Sequence, residues 1–223
     1  MSVGVLGGTF NPPHLGHLQI ARCALAQLGL ERVLLMPARM NPLKPAAHDP
    51  GPAHRLRMCE LLCAEEDAVE TCAAELSREG PSFTVDTLRE LHSGHPAVAW
   101  TFIAGADAAA TLPRWREPAE LLELAHLAVA GRGQDTRERV LAAVAEAGGG
   151  APGRGAEAGR GAEVGRGVVG SRGAGVSFLE MAPMEVSSSQ VRERVEAGEG
   201  VAELVGEPVA RYISEHGLYR GAT

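Results

Sequence analysis

The sequence predicts an α/β fold, an open parallel sheet with helices on both faces. Three observations carry that prediction. Short apolar runs, the size of buried strands, recur along the chain. Segments with helical spacing separate them, as crossover connections require. Several of the runs end at glycine, at the strand edge where such sheets hold ligands.

Residues 2–6 form the first apolar run, stopped by Gly7-Gly8. Leu15, Leu18, Ala21, Leu25 and Leu28 then recur at helical spacing. Val33-Leu34-Leu35-Met36 is a second buried strand, closed by Pro37. Pro42, Pro45, Pro50 and Pro52 make 38–52 a loop. Residues 55–66 predict a helix with Leu56, Leu61 and Leu62 inward, and 68–76 a third strand. A helix over 84–91 and a strand over 98–103 follow, the strand leading into Gly105. Residues 126–130 predict a fifth strand before Gly131. A strand over 176–181, a helix over 190–195 and a terminal helix over 208–215 complete the pattern.

At 223 residues the chain predicts one domain spanning 1–223, long enough for a sizeable core. Residues 148–175 interrupt it, holding twelve of the 28 glycines and few bulky apolar side chains. Such a segment cannot offset its ordering entropy by burial, so a flexible surface insertion is expected there. The net charge of −7 argues against a nucleic-acid or anionic-membrane partner. No run approaches the roughly 20 apolar residues of a membrane span, and the N-terminus has no signal-peptide pattern. Cys23, Cys59, Cys63 and Cys72 form no Cys-x-x-Cys pair and predict buried reduced thiols in a cytoplasmic protein. Oligomeric state is not set by the sequence, and a homo-oligomer is compatible with it.

The chemistry concentrates in Gly7-Gly8-Thr9-Phe10-Asn11-Pro12-Pro13-His14-Leu15-Gly16-His17. Glycines after a strand let backbone N–H groups approach a phosphate. No Gly-x-Gly-x-x-Gly or Gly-Lys-Ser/Thr is present, so neither common phosphate loop applies. His14 and His17, three apart, share one face of a helix start whose N-terminus carries positive partial charge. Gly16 between them predicts room for a ligand against the backbone. Two solvated histidines on an exposed turn is the bland alternative. A two-histidine metal site lacks a nearby Cys, Asp or Glu to complete it. Gly-Gly-Thr-Phe immediately after a strand favours phosphate binding over both.

The run Gly-Gly-Thr-Phe-x-Pro-x-His-x-Gly-His resembles the signature of the HxGH nucleotidyltransferases. Further segments narrow the resemblance: Gly80-Pro81-Ser82-Phe83-Thr84-Val85-Asp86-Thr87, Gly105-Ala106-Asp107, Leu112-Pro113-Arg114-Trp115 and Ser187-Ser188-Ser189-Gln190-Val191-Arg192. Together with the ending Tyr212-Ile213-Ser214-Glu215-His216-Gly217-Leu218-Tyr219, they are similar to bacterial nicotinate-nucleotide adenylyltransferases. The likeness covers nearly all of the chain outside 148–175. It implies a Rossmann-like nucleotidyltransferase fold. The implied reaction joins ATP to nicotinate mononucleotide, giving deamido-NAD and pyrophosphate, with Mg²⁺ on the triphosphate.

The resemblance also implies roles. His14, His17, Lys44 and Arg192 would act on the phosphates during transfer. Leu43 departs from the histidine usual before that lysine. Gly7, Gly8, Thr9, Phe10, Gly105, Asp107, Ser187, Ser188 and Ser189 would bind ATP, Asp107 through the ribose. Thr84 and Trp115 would hold the nicotinate, the first through helix-start N–H groups and the second by stacking. An already anionic nucleophile needs no strong base, so catalysis rests on positioning and charge neutralisation. Two readings compete. Another HxGH transferase, acting on phosphopantetheine or with CTP on an alcohol phosphate, would not be expected to share both substrate segments. A non-catalytic nucleotide sensor would be expected to lose the phosphate-binding residues.

Overall fold

The computed structural model describes residues 1–42, 48–131, 133–148, 175–182 and 185–221. Its six strands are β1 (Ser2–Gly8), β2 (Arg32–Pro37), β3 (Val69–Thr71), β4 (Ala99–Gly105), β5 (His126–Ala130) and β6 (Val176–Leu179). They lie in the order β3-β2-β1-β4-β5-β6. That order reverses direction between β1 and β4, the place where open α/β sheets form their ligand crevice. β1 and β4 pair in parallel, from Ser2 opposite Ala99 to Leu6 opposite Ile103. β4 pairs with β5, and β5 with β6, again in parallel.

Ten α-helices are described: α1 (Leu15–Leu28), α2 (Pro52–Cys63), α3 (Ala74–Ser77), α4 (Thr84–Gly94), α5 (Ala106–Ala109), α6 (Pro118–Leu124), α7 (Gln134–Glu146), α8 (Ser188–Glu196), α9 (Ala202–Val205) and α10 (Glu207–Glu215). Local chemistry sets several of their ends. α1 stops where Gly29 takes φ 62, the left-handed conformation that glycine adopts without steric cost. α2 and α10 open with proline in their first turn, where a missing N–H costs nothing. The Ser187 hydroxyl caps α8 by accepting from the Gln190 N–H at 3.2 Å.

Contacts divide the chain into two compact units. The first comprises Met1–Leu6, Cys23–Val33 and Phe83–Met181. Its core surrounds β4 and β5, with Trp100, Phe102, Ile103, Leu121, Leu127 and Val129 buried. An ion-pair network ties Arg89 of α4 to Asp86, Glu117 and Glu120. The second unit comprises Gly7–Arg22, Leu34–Ser82 and Ala182–Thr223. There α2 packs on β3 and α10, burying Met58, Cys59, Leu62, Val209 and Ile213.

Some expectations need correction. The strand read over 68–76 is only Val69–Thr71, and Ala74–Ser77 is helical. Ala74, Glu75 and Leu76 are good helix formers, and β3 is an edge strand with one partner. On α2 the buried positions are Arg55, Met58, Cys59, Leu62 and Cys63, whereas Leu56 and Leu61 are half-buried. An arginine that donates four hydrogen bonds lies on the inner face there, which an apolar pattern does not reveal. Of the four free cysteines, only Cys59 and Cys63 are buried. Burial pushes the Cys63 thiol up to about 11, so it is not a ready nucleophile. α5, α6, α7 and α9 join the elements read from the sequence. The expected insertion lies outside the described residues except at Gly148 and Gly175.

Gly4 shows how tightly the first unit is packed. A Cβ there would come within 2.8 Å of Ile103 Cδ1, 2.9 Å of Leu30 Cδ1 and 3.0 Å of Val33 Cγ2. Gly4→Ala is therefore expected to destabilise by about 1–3 kcal/mol through overpacking. Urea unfolding should show a lower midpoint, and adding Ile103→Val, which removes the nearest atom, should recover part of the loss.

Candidate active site

In the second unit, the chain leaves β1 through Gly7-Gly8-Thr9-Phe10 and enters α1 through His14. Phe10 is buried and holds φ 50, a left-handed conformation uncommon for a bulky residue. Its ring lies over Gly8, where an added Cβ would meet ring atoms at 3.1–3.4 Å. The other face of this packing is His17, whose ring meets Phe10 edge-on at 4.8 Å. The Ala38 N–H donates to the Gly8 carbonyl at 2.8 Å and fixes the start of the turn.

His14 and His17 stack with ring centroids 3.7 Å apart. The His14 backbone N–H donates to His17 Nδ1 at 3.1 Å, and the His17 N–H donates to the His14 carbonyl at 2.9 Å. The first bond is one half of a capping box, with imidazole in place of the usual Glu or Gln, and the second is a backbone bond that closes the first turn. With Nδ1 accepting, neutral His17 carries its hydrogen on Nε2 and offers one donor of fixed direction. Burial lowers His14 from 6.5 to about 4, outweighing a backbone hydrogen bond that raises it. Burial, reinforced by His14 beside it, holds His17 well below the usual imidazole range. Both rings are thus neutral at pH 7 and supply N–H dipoles, not charge. His14 Nδ1 is buried without a hydrogen-bond partner among the described residues.

Gly16 has a different reason from the one its position suggests. A Cβ there would lie 2.9 Å from Val186 Cγ1 and 3.0 Å from His14 Nδ1. The space is taken by the protein's own side chains, not kept open for a ligand.

The positive charge comes from α8. Arg192 Nη1 donates to the Asn11 carbonyl at 2.7 Å and Nη2 to Ser189 Oγ at 3.1 Å. Ser188 Oγ donates to the Pro12 carbonyl at 2.8 Å, which uses its only hydrogen. Ser187 and Ser189 act as acceptors, so their hydroxyl hydrogens remain able to reach an anion at the helix start. Asn11, buried, accepts at Oδ1 from the Tyr219 hydroxyl at 2.8 Å. Histidines, serines and Arg192 thus belong to one hydrogen-bonded surround in this unit. Lys44 and Leu43 lie outside the described residues.

The first unit holds the remaining candidates. Gly105 ends β4 and precedes α5, whose first turn carries the exposed Asp107. The N-cap of α5 is Gly105, so Asp107 stands inside the first turn and not at the cap position. Gly131 follows β5, and a Cβ on it would meet Ala106 Cβ at 2.4 Å. Thr84 opens α4, and the Phe83 carbonyl accepts from the Asp86 and Thr87 N–H groups. The Thr84 and Val85 N–H groups precede those intrahelical donors. Trp115 is half-buried, its Nε1–H on Thr111 Oγ1 at 3.0 Å and its ring edge-on to Phe102 at 5.7 Å. A cavity beyond β5 and β6 is lined by Gly131, Gly133, Gln134, Arg137, Leu179 and Glu180. Sequence reasoning missed that cavity, and Arg137 in it carries no motif, only a cation–π contact with Phe178.

Residues 5–194 match a family model described as cytidylyltransferase-like. A relative from Roseiflexus sp. (strain RS-1), named "Probable nicotinate-nucleotide adenylyltransferase", is 37% identical over 98% of both chains. A relative of the same name from Synechococcus sp. (strain JA-3-3Ab) is 36% identical, covering 97% of this chain and 94% of its own. The chain belongs to the nicotinate-nucleotide adenylyltransferase family. Among solved structures, the Plasmodium falciparum nicotinic acid mononucleotide adenylyltransferase complexed with NaAD shares the fold. Its TM-score is 0.70, at 15% identity over 98% of this chain and 97% of that one. Within this family's fold, no described helix is long and apolar enough to cross a membrane.

Two expectations follow from the histidines. His14 binds protons more weakly folded than unfolded, so between pH 6.5 and about 4 the unfolded state takes up more protons. Stability should fall as pH drops through that window, by roughly 2–3 kcal/mol from this group. Denaturant midpoints measured against pH should slope less for His14→Asn than for the parent. The second expectation separates cap from donor. His17→Ala should lose about 10²–10³-fold in kcat and also about 1 kcal/mol of stability. His17→Asn, whose Oδ1 can stand in for Nδ1, should regain the stability and not the kcat, as melting curves beside turnover would show.

Proposed function

We propose that the protein transfers the adenylyl group of ATP to nicotinate mononucleotide, releasing pyrophosphate and forming deamido-NAD. A phosphate oxygen of the mononucleotide attacks the α-phosphorus in line, and the bond from that phosphorus to the bridging oxygen of pyrophosphate breaks. The observation that carries this reading is the hydrogen-bonded surround of His14, His17, Ser189 and Arg192 beside the β1 turn. It offers N–H and O–H donors and a guanidinium, which suit the charge that builds on phosphates during transfer.

In this reading Gly7, Gly8, Thr9 and Phe10 lend backbone groups to the triphosphate. His17 Nε2–H and the buried His14 ring contact its oxygens, and anion binding raises the pKa of both. Arg192, with Lys44, neutralises charge on the departing pyrophosphate, while Ser187 and Ser189 add hydroxyl donors and Ser188 holds the turn. Asp107, beyond Gly105, accepts from the ribose hydroxyls. The Thr84 helix start receives the nicotinate carboxylate, which an amide could not match for charge. Trp115 stacks on the pyridine ring.

Adenylyl transfer from ATP generally uses a divalent metal ion. Here Mg²⁺ enters with ATP as part of the substrate. Among the described residues no cluster of three His, Cys, Asp or Glu could hold a resident ion, and the donors around His14 suit a chelated phosphate. Free, partly buried thiols support a reducing, cytoplasmic setting.

Purified protein with Mg-ATP and nicotinate mononucleotide should release pyrophosphate, and the amide mononucleotide should react more slowly. Trp115→Ala should raise KM for the mononucleotide while leaving KM for ATP nearly unchanged. No pyrophosphate with either mononucleotide would refute the substrate assignment.

A further inference from the structure

Arg55 is fully buried on α2, and its guanidinium is spent on the protein itself. Nε donates to Asp49 Oδ1 at 2.9 Å. Nη1 donates to the Thr9 carbonyl at 2.8 Å and to the Ala38 carbonyl at 2.6 Å, and Nη2 to the Arg39 carbonyl at 3.1 Å. Asp49 also accepts from the Gly51 N–H at 2.9 Å, which orients its carboxylate. Four acceptors from three separate segments therefore converge on one rigid planar fork. A buried charge is expensive to maintain by desolvation even with four of its five N–H groups bonded, and a hydrophobic residue would often serve stability as well.

One of the four bonds explains why the fork is worth keeping. The Thr9 carbonyl belongs to the peptide plane that rotates with φ of Phe10. Phe10 sits at φ 50, a conformation that costs a bulky residue energy and persists only where its surroundings enforce it. Gripping that carbonyl holds the peptide in place. The Phe10 ring then meets His17 edge-on at 4.8 Å, while His17 Nδ1 is set by the His14 N–H. A continuous path of contacts runs from the guanidinium through Thr9 and Phe10 to the imidazole.

We propose that Arg55 is a positioning residue for the transfer step: it locks the strained Thr9–Phe10 peptide and thereby holds the His17 ring in its catalytic orientation. This rests on reading His17 as a phosphate contact. Arg55 touches neither nucleotide in this role. Lysine cannot replace it, since a single ammonium cannot span the Asp49 carboxylate and three carbonyls in the same plane.

The test is Arg55→Lys, assayed well below its melting temperature beside the wild type. A misplaced group of this kind costs up to about 10²-fold in rate. We expect kcat to fall about 10–100-fold, with KM for ATP and for the mononucleotide changing less than about threefold, as for a group acting in the transition state. ¹⁵N NMR of the His17 ring, which needs no substrate, should show a single Nε2–H tautomer in the wild type and a mixture in the variant. A folded Arg55→Lys with kcat within about twofold of wild type, or with unaltered His17 signals, would overturn the proposal. If Arg55→Lys does not fold, Asp49→Ala replaces it. With the Nε partner gone, the same His17 change and a kcat loss of about 3–10-fold are expected, and wild-type values for either would overturn the proposal. A wild-type protein that turns nothing over would refute the substrate assignment instead, and the NMR comparison would still decide the role of Arg55.

Discussion

The parallel pairing of β1 with β4 is the constraint on which the rest of the sheet depends. Both strands are buried through their central residues, Val3 to Leu6 and Trp100 to Ala104, so their register is fixed by packing on two faces. β2 and β3 extend the sheet on one side of this pair, and β5 and β6 on the other. Reversal of strand order at one point forces the chain to leave β1 and β4 in different directions, and both exits are glycine. At the β1 exit the small residue is a packing requirement, since Gly8 lies under the Phe10 ring, whereas a Cβ on Gly105 would meet nothing within 4 Å.

The electrostatics beside the β1 turn run against simple intuition. The phosphate site proposed there would be expected to gather cations, yet burial keeps both histidines neutral. Taking two imidazolium ions out of water, 3.7 Å apart, would oppose folding strongly. The protein instead assigns charge to Arg192, half-exposed and braced by Asn11 and Ser189, and assigns direction to His17 through its cap bond. Arg55 carries a second charge into the interior, but every bond it makes is to the scaffold. Arg192 thus stays half-exposed while it braces Asn11, and Arg55 is wholly internal.

Much of this was legible along the chain. Strands and the longer helices follow from apolar period and from glycine and proline stops, which are local. β3 was overextended because an edge strand with one partner gives way to good helix formers. The α2 face was misread at Leu56 and Leu61 because Arg55 is buried for hydrogen-bonding reasons, which hydropathy does not encode. The position of Gly16 between two histidines suggests space for a ligand, but the atoms that fill the space include one from Val186, 170 positions away. The cavity near Arg137 carried no sequence signal, because strand ends and a helix start make it rather than a motif.

The alternation of strands and helices, the glycine-rich run from Gly7 to His17, and the residue types that resemble one enzyme family are all written in the order of the amino acids. Those properties depend on neighbours within a few positions, or on motifs read residue by residue. Tertiary structure alone decided the tautomer of His17, the neutrality of both histidines, the division of labour among Ser187, Ser188 and Ser189, and the burial of Arg55. Each of these depends on desolvation or on a hydrogen bond whose geometry exists only once the chain has folded: Asn11 reaches Arg192 across 181 positions, and Thr9 reaches Arg55 across 46.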